Sequence, residues 1–269
     1  MNNPELYDTA GKVLDAQTES IVKNYILQLL RNGDQKVVLD VGSGPGCFSF
    51  NYLYKPLSAE IKEMIGIDQS ENMVTYANKH YGNDKLKFVK LNIETDCIPE
   101  QLLGRFDYVF SFWALHFLHD YTRGFNNIFK MMKPGGYALM VFPGSGQLYD
   151  IYKTVWTKPK WSKLIGEDKL MNMPFHNCEN PENKLRDISS PLGFESLRCE
   201  IQDLSIYLTL ETAKDYFASI IPVFSDVPKH LQEELINDHI KEWAPRDISL
   251  NEDVMYGLDY KLMVINARK

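Results

Sequence analysis

An apolar run, Lys36-Val37-Val38-Leu39-Asp40-Val41, stops against Gly42-Ser43-Gly44-Pro45-Gly46, and a helical pattern begins at once. Three glycines in five positions permit left-handed backbone and let a ligand approach the main chain closely, so strand must pass to helix through an open turn. Looser versions of this unit follow. Residues 64–68, 86–91, 106–113 and 137–142 are short apolar runs, while 45–54, 70–80 and 121–132 carry helical spacing. The last helix is expected to stop in a Lys133-Pro134-Gly135-Gly136 turn. A helix is also expected over 15–31, where Ile21, Tyr25, Ile26, Leu29 and Leu30 share a face before the Asn32-Gly33-Asp34 stop. Short apolar strands alternating with helices predict an α/β fold with a parallel sheet buried on both faces.

Beyond Phe142 the rhythm breaks. Residues 143–192 hold Pro143, Pro159, Pro174, Pro181 and Pro191 among aromatic residues and show no clean strand. Strand-like runs return at 195–208 and 259–267, with a helical stretch at 211–244 between them. The expectation is a single domain over 1–269 whose later crossovers, about 143–192 and 209–250, have grown into a cap.

Charge narrows the function classes. Twenty-nine basic against 36 acidic residues give a net charge of -7, which argues against a nucleic-acid partner, since phosphate binding needs a basic face. Lys158, Lys160 and Lys163 read as a solvated face. No run approaches the roughly 18 apolar residues of a membrane span, and the first residues lack a signal-peptide core. A cytoplasmic protein is expected. Cys47, Cys97, Cys178 and Cys199 have no metal-ligand or paired spacing, so free thiols and no metal are expected.

The glycine loop has one residue between its second and third glycines, where a dinucleotide fingerprint has two. Asp40 beside it would repel a pyrophosphate and attract a cationic ligand end. Asp68, with Gln69 after it, closes the second strand and suits paired ribose hydroxyls. Asn92 and Ile93 close the third, placed for an adenine ring. In this order on successive strand tips, the chain resembles the class I S-adenosylmethionine methyltransferases over residues 30–142. The resemblance implies S-adenosylmethionine as cofactor and a Rossmann-like, mostly parallel seven-stranded sheet of order 3-2-1-4-5-7-6, its last strand antiparallel. It also implies that Asp40, Gly42, Ser43 and Gly44 meet the methionine end, with Asp68 and Gln69 at the ribose, Asn92 and Ile93 at adenine, and Ser111 beside them.

The methyl acceptor is constrained by chemistry. An ionised carboxylate needs no general base, whereas an alcohol or amine does. The fourth strand tip, Ser111-Phe112-Trp113-Ala114-Leu115-His116-Phe117-Leu118-His119, supplies two histidines there. This segment, the opening Met1–Tyr7, the helix from Gln17 and the run 73–80 resemble insect juvenile hormone acid methyltransferases. That resemblance implies a lipophilic acid such as farnesoic acid or juvenile hormone acid as substrate, and Gln17 and His116 as its carboxylate contacts. Phe117 stands where that family commonly has Trp. A protonated His116 paired with the acid would lose activity as pH rises; His116 as a base would gain it. Trp113, Phe117, Tyr149, Ile220 and Phe224 are candidates to line an apolar pocket; they equally suit a cap core. His80, His176, His230 and His239 read as surface or capping residues. Another small acid, a phenol or an amine remains open as acceptor, as does a cofactor-binding relative without turnover, and either a monomer or a homodimer is expected.

Overall fold

The computed structural model of the chain describes residues 3–26, 34–166, 171–243, 246–250 and 253–269. Eight strands form the sheet: β1 (Lys36–Val41), β2 (Ile61–Asp68), β3 (Leu86–Lys90), β4 (Phe106–Phe112), β5 (Met132–Gly146), β6 (Ser196–Leu208), β7 (Arg246–Leu250) and β8 (Asp253–Arg268). Their order is β3-β2-β1-β4-β5-β8-β6, with β7 paired to β8 off that path. With β7 set aside, the seven remaining strands take the expected order. The last, β8, runs antiparallel to both β5 and β6, and the first five are parallel.

Adjacent residues of each strand enter opposite cores. Val38, Met64, Phe110, Leu139 and Val264 pack on one face. Leu39, Ile65, Val109, Met140 and Ile265 pack on the other. Both faces are covered, so the strands read as continuous apolar runs without a polar alternation.

Helices cover these faces: α1 (Pro4–Ala10), α2 (Asp15–Ile21), α3 (the π-helical Ser49–Tyr54), α4 (Glu71–Tyr81), α5 (Tyr121–Met131), α6 (Gln147–Trp156), α7 (Pro159–Ile165), α8 (Pro181–Ser189), α9 (Leu210–Ile220) and α10 (Lys229–Glu242). Several expected boundaries move. The helix expected over 15–31 ends its α-helical part at Ile21 and continues as a π-helical turn, Val22–Ile26; residues 27–33, with Leu29, Leu30 and the expected stop, lie outside the described residues. The helix expected from Pro45 starts later, because Gly46 sits at φ 87°. The expected 133–136 turn is a bulge inside β5: Met132 pairs with Phe106 and Tyr137 with Tyr108, leaving the intervening residues looped out, with Gly135 at φ 73°.

The 143–192 region is more regular than its prolines suggest. β5 continues through Gly146, held by pairing with β8. Pro159 and Pro181 then occupy the first turns of α7 and α8, where a missing N–H costs nothing. The stretch expected as helix over 211–244 is two helices. Thr209 caps the first through the Thr212 N–H at 3.3 Å, and Pro222 and Pro228 separate it from the second.

His239, read from sequence as a surface residue, is fully buried between α6 and α10. The Trp156 indole N–H donates to its Nε2 at 3.2 Å, and its Nδ1 donates to the Leu235 carbonyl at 2.7 Å. Burial holds its pKa down to about 4, so the ring is neutral.

Candidate active site

The strand tips β1, β2 and β4 converge around the glycine turn. Gly42, Gly44 and Gly46 sit at φ 76°, 53° and 87°, which explains three glycines. A side chain on Gly42 would place its Cβ 2.2 Å from the Ala114 Cβ, so the β1 turn and the β4 tip touch through bare backbone. The Gly42 and Ser43 N–H groups both donate to the Ile67 carbonyl, at 2.8 and 3.0 Å.

The acids sit as expected at strand tips, in different states. Asp40 is buried and accepts from the Ser49 hydroxyl at 2.5 Å. Loss of hydration pushes its pKa up to about 7. Asp68 is half-buried and is held by two main-chain donors, the Gly44 N–H at 3.0 Å and the Ser70 N–H at 2.8 Å. Each of its oxygens retains further acceptor capacity, and Asp68 lines the cavity described next.

A cavity opens over this turn. It is lined by Asp40, Gly42, Ser43, Gly44, Asp68 and Gln69, and by Asn92 and Ile93. The Ser43 hydroxyl is buried there without a hydrogen-bond partner. Asn92 Oδ1 accepts from the Glu94 N–H at 2.9 Å, so part of its amide is used to shape the loop. Ser111 does not line the cavity. It is fully buried, and its hydroxyl donates to the Val41 carbonyl at 2.8 Å, tying β4 to β1.

A second cavity adjoins the first and shares Tyr7, Leu14, Trp113 and Phe117 with it. His116, Tyr149 and Ile220 line it, as do Tyr216 and Tyr260, the last of which the sequence did not single out. No lysine, arginine, aspartate or glutamate is among its lining residues. Trp113 has a left-handed backbone, φ 55°, a strained state for a bulky residue. Its indole N–H donates to the Thr18 hydroxyl at 3.2 Å and its main-chain N–H to the Val141 carbonyl at 2.8 Å, which hold it there.

His116 is 9 % exposed, its ring tilted at 41° to that of Phe117 with 3.9 Å between centroids, and its Nδ1 is buried without a partner. Burial pushes its pKa down to about 3. In the ligand-free site the ring is therefore held in its neutral form. Gln17 is half-buried with an unpartnered buried Oε1, and lines neither cavity, although Leu14 and Thr18 of the same segment do. Phe224 also lies away from both cavities, half-buried against the neighbouring core. His176 is not a free surface residue: its Nε2 meets Asp150 Oδ1 at 2.9 Å and its Nδ1 the cavity-lining Ser145 hydroxyl at 3.2 Å.

Three residues of the first segment were open to reading. Asn3 caps α1 by accepting the Leu6 N–H at 3.1 Å, with Pro4 in the first turn. That Asn-Pro start is a helix signal, and α1 brings Tyr7 to both cavities. Asp8 fastens α1 to α4 by accepting from the Tyr76 and Tyr81 hydroxyls, at 3.0 and 2.7 Å.

Known proteins are similar to this chain. A family described as a methyltransferase domain matches residues 32–187. The chain is 32 % identical to a juvenile hormone acid O-methyltransferase of Drosophila melanogaster, across all of this chain and 93 % of that one. It is 30 % identical to the enzyme of the same name from Bombyx mori, across all of this chain and 98 % of that one. Among solved structures, phosphoethanolamine N-methyltransferase 2 of Haemonchus contortus, in complex with S-adenosyl-L-methionine, aligns with a TM-score of 0.54 at 16 % identity. That alignment covers 94 % of this chain and 52 % of the other.

Proposed function

Since the chain belongs to the S-adenosylmethionine-dependent methyltransferase family, we propose that it esterifies the carboxylate of a lipophilic small acid of the farnesoic or juvenile hormone acid kind. The names of the Drosophila and Bombyx relatives support the acid. The observation that carries the reading is the second cavity: lined without charged side chains, and joined to the glycine-loop cavity through a four-residue wall. An apolar tail suits such a lining, and a polar head at the wall would face the methyl group.

S-adenosylmethionine is the methyl donor, and the loop residues suit it. The unpartnered Ser43 hydroxyl, the bare Gly42 backbone and the buried Asp40 offer a donor, close approach and a counter-charge for the ammonium. Asp68 takes the ribose hydroxyls; Gln69, Asn92 and Ile93 border the adenosine. Bound there, the cofactor supplies a methyl group already activated by its sulfonium charge. With the cofactor held by these residues, a carboxylate oxygen placed at the wall would accept the methyl group as the carbon–sulfur bond breaks, giving neutral ester and neutral thioether.

The protein's work is placement. A histidine whose pKa lies near 3 is a poor base, which favours a carboxylate over a phenol or amine. In this reading His116 donates to the acid from a neutral ring, and Gln17, next to the cavity-lining Thr18, acts from outside the lining to help orient it. Trp113, Phe117, Tyr149 and Ile220 hold the tail. The chain acts as one unit, with 143–192 and 209–250 as its cap, in the cytoplasm, as a monomer or homodimer. Among the described residues no helix is long and apolar enough to cross a membrane.

Methyl transfer to farnesoic acid, a short-chain acid and a phenol between about pH 5.5 and 9 tests this, the range in which an ordinary histidine titrates. Farnesoic acid is expected to react on a profile with no rising limb from His116. His116→Ala and Gln17→Ala should each lower kcat/KM by roughly one to three powers of ten while S-adenosylmethionine affinity holds. Turnover of the phenol alone, rising with pH, would end the carboxylate reading.

A further inference from the structure

Tyr260 lies on β8 opposite Gly146 of β5. A side chain at 146 would bring its Cβ within 2.7 Å of the Tyr260 Cβ, so glycine clears the space that the tyrosine uses. The ring meets the Trp113 indole edge-on, 6.2 Å between centroids at 73°, which puts it beside the wall between the two cavities. Tyr260 is 8 % exposed, and its hydroxyl is shut off from solvent with no hydrogen-bond partner. Two other tyrosines of the same cavity are satisfied: Tyr149 donates to the Pro143 carbonyl and Tyr152 to the Ile220 carbonyl.

A buried hydroxyl without a partner costs stability that phenylalanine, of the same shape, would spare. What recovers that cost is an acceptor brought by a ligand. His116 Nδ1 is the second unpartnered polar atom on this cavity. A phenol donor and an imidazole nitrogen, both unpartnered and both on residues lining one apolar space with no cationic side chain, suit a group with several lone pairs on adjacent oxygens. We propose that Tyr260 is a substrate-positioning residue, its hydroxyl donating to the carboxylate of the acid beside His116. This rests on the carboxylate reading above and adds a residue to it. Holding one oxygen leaves the other free to attack. Burial raises the phenol's pKa, so the donor keeps its proton throughout the working range.

The test compares wild type with Tyr260→Phe by calorimetry in the presence of S-adenosylhomocysteine, with farnesoic acid and its alcohol, farnesol, as probes, and by thermal melting. The variant is expected to melt at or above the wild-type temperature and to bind S-adenosylhomocysteine unchanged. Farnesoic acid should bind roughly ten- to a hundredfold more weakly, with kcat/KM falling in step, while farnesol stays within about twofold. Farnesoic acid bound by wild type and by the variant within about twofold overturns the role of Tyr260 and leaves the carboxylate reading standing. An equal loss for farnesol and the acid also overturns it, since the hydroxyl would then shape the cavity and pair with no carboxylate. A wild-type protein that binds and methylates no acid overturns both.

Discussion

The glycine-loop cavity and the apolar cavity meet at one wall yet are assembled on opposite plans. The floor of the first is made by loops that each follow directly on a strand: 42–45 after β1, Asp68–Ser70 at β2, 92–94 after β3, with the segment from Tyr7 to Thr18 beside them. The polarity of that floor is anionic and main-chain. The second draws on α1, the β4 tip, the end of β5, α6, α9 and β8, and holds neutral side chains only. Recognition of a charged, hydrogen-bonding ligand is written in short contiguous motifs. Recognition of an oily one depends on how distant segments pack.

Substitutions should expose that difference. The largest effect is expected at Gly42→Ala, where a left-handed backbone and a 2.2 Å clash with Ala114 act together; about 2–6 kcal/mol should be lost, read as stability by melting and as S-adenosylhomocysteine affinity by calorimetry. Gly44 shares the left-handed backbone but has open space where a Cβ would go, so Gly44→Ala should cost only about 1–2 kcal/mol. Equal losses at the two positions would remove the close approach of Ala114 from the account.

Next in size is Asp68→Ala, expected to weaken S-adenosylhomocysteine by about 2–4 kcal/mol while leaving acid binding in the neighbouring cavity intact. Unchanged cofactor affinity in a folded variant would move the ribose elsewhere.

The sequence displayed the first plan well and the second poorly. Asp40, Gly42, Asp68 and Asn92 follow their strands at once, so a period change and a glycine locate them. Ser111 also follows that logic but turns inward, because strand alternation at 111 points its hydroxyl at Val41. Tyr260 carries no local signal, since its importance comes from Gly146 and Trp113, each more than a hundred residues away in sequence. Phe224 shows the converse: it has the right composition and neighbours, but a proline-flanked turn carries it off the cavity. Likewise the 15–31 pattern gave no warning of a π-helical turn, which side-chain periodicity does not distinguish from α over five residues.

A smaller and sharper effect concerns protons. Asp40 in the free protein titrates near pH 7, and a cationic ammonium favours its ionised form. S-adenosylmethionine affinity should therefore be level above that pH and fall by about tenfold per unit as pH drops below it. Asp40→Asn should bind weakly and without this slope; a slope that survives in the variant would assign the proton to another group. The smallest effect expected is none: turnover should be unchanged by EDTA and by added magnesium or zinc. Loss on chelation, restored by one divalent ion, would point to a catechol-like acceptor and to a second cavity with polarity that its lining does not have.

The wall of Tyr7, Leu14, Trp113 and Phe117 suggests how the protein could be inhibited. A single compound that joins an adenosine head to a terpenoid tail through a short, uncharged linker would occupy both chambers. Because one half answers to acids and main-chain amides and the other to shape, each half could be optimised separately, with the linker length set by the indole of Trp113.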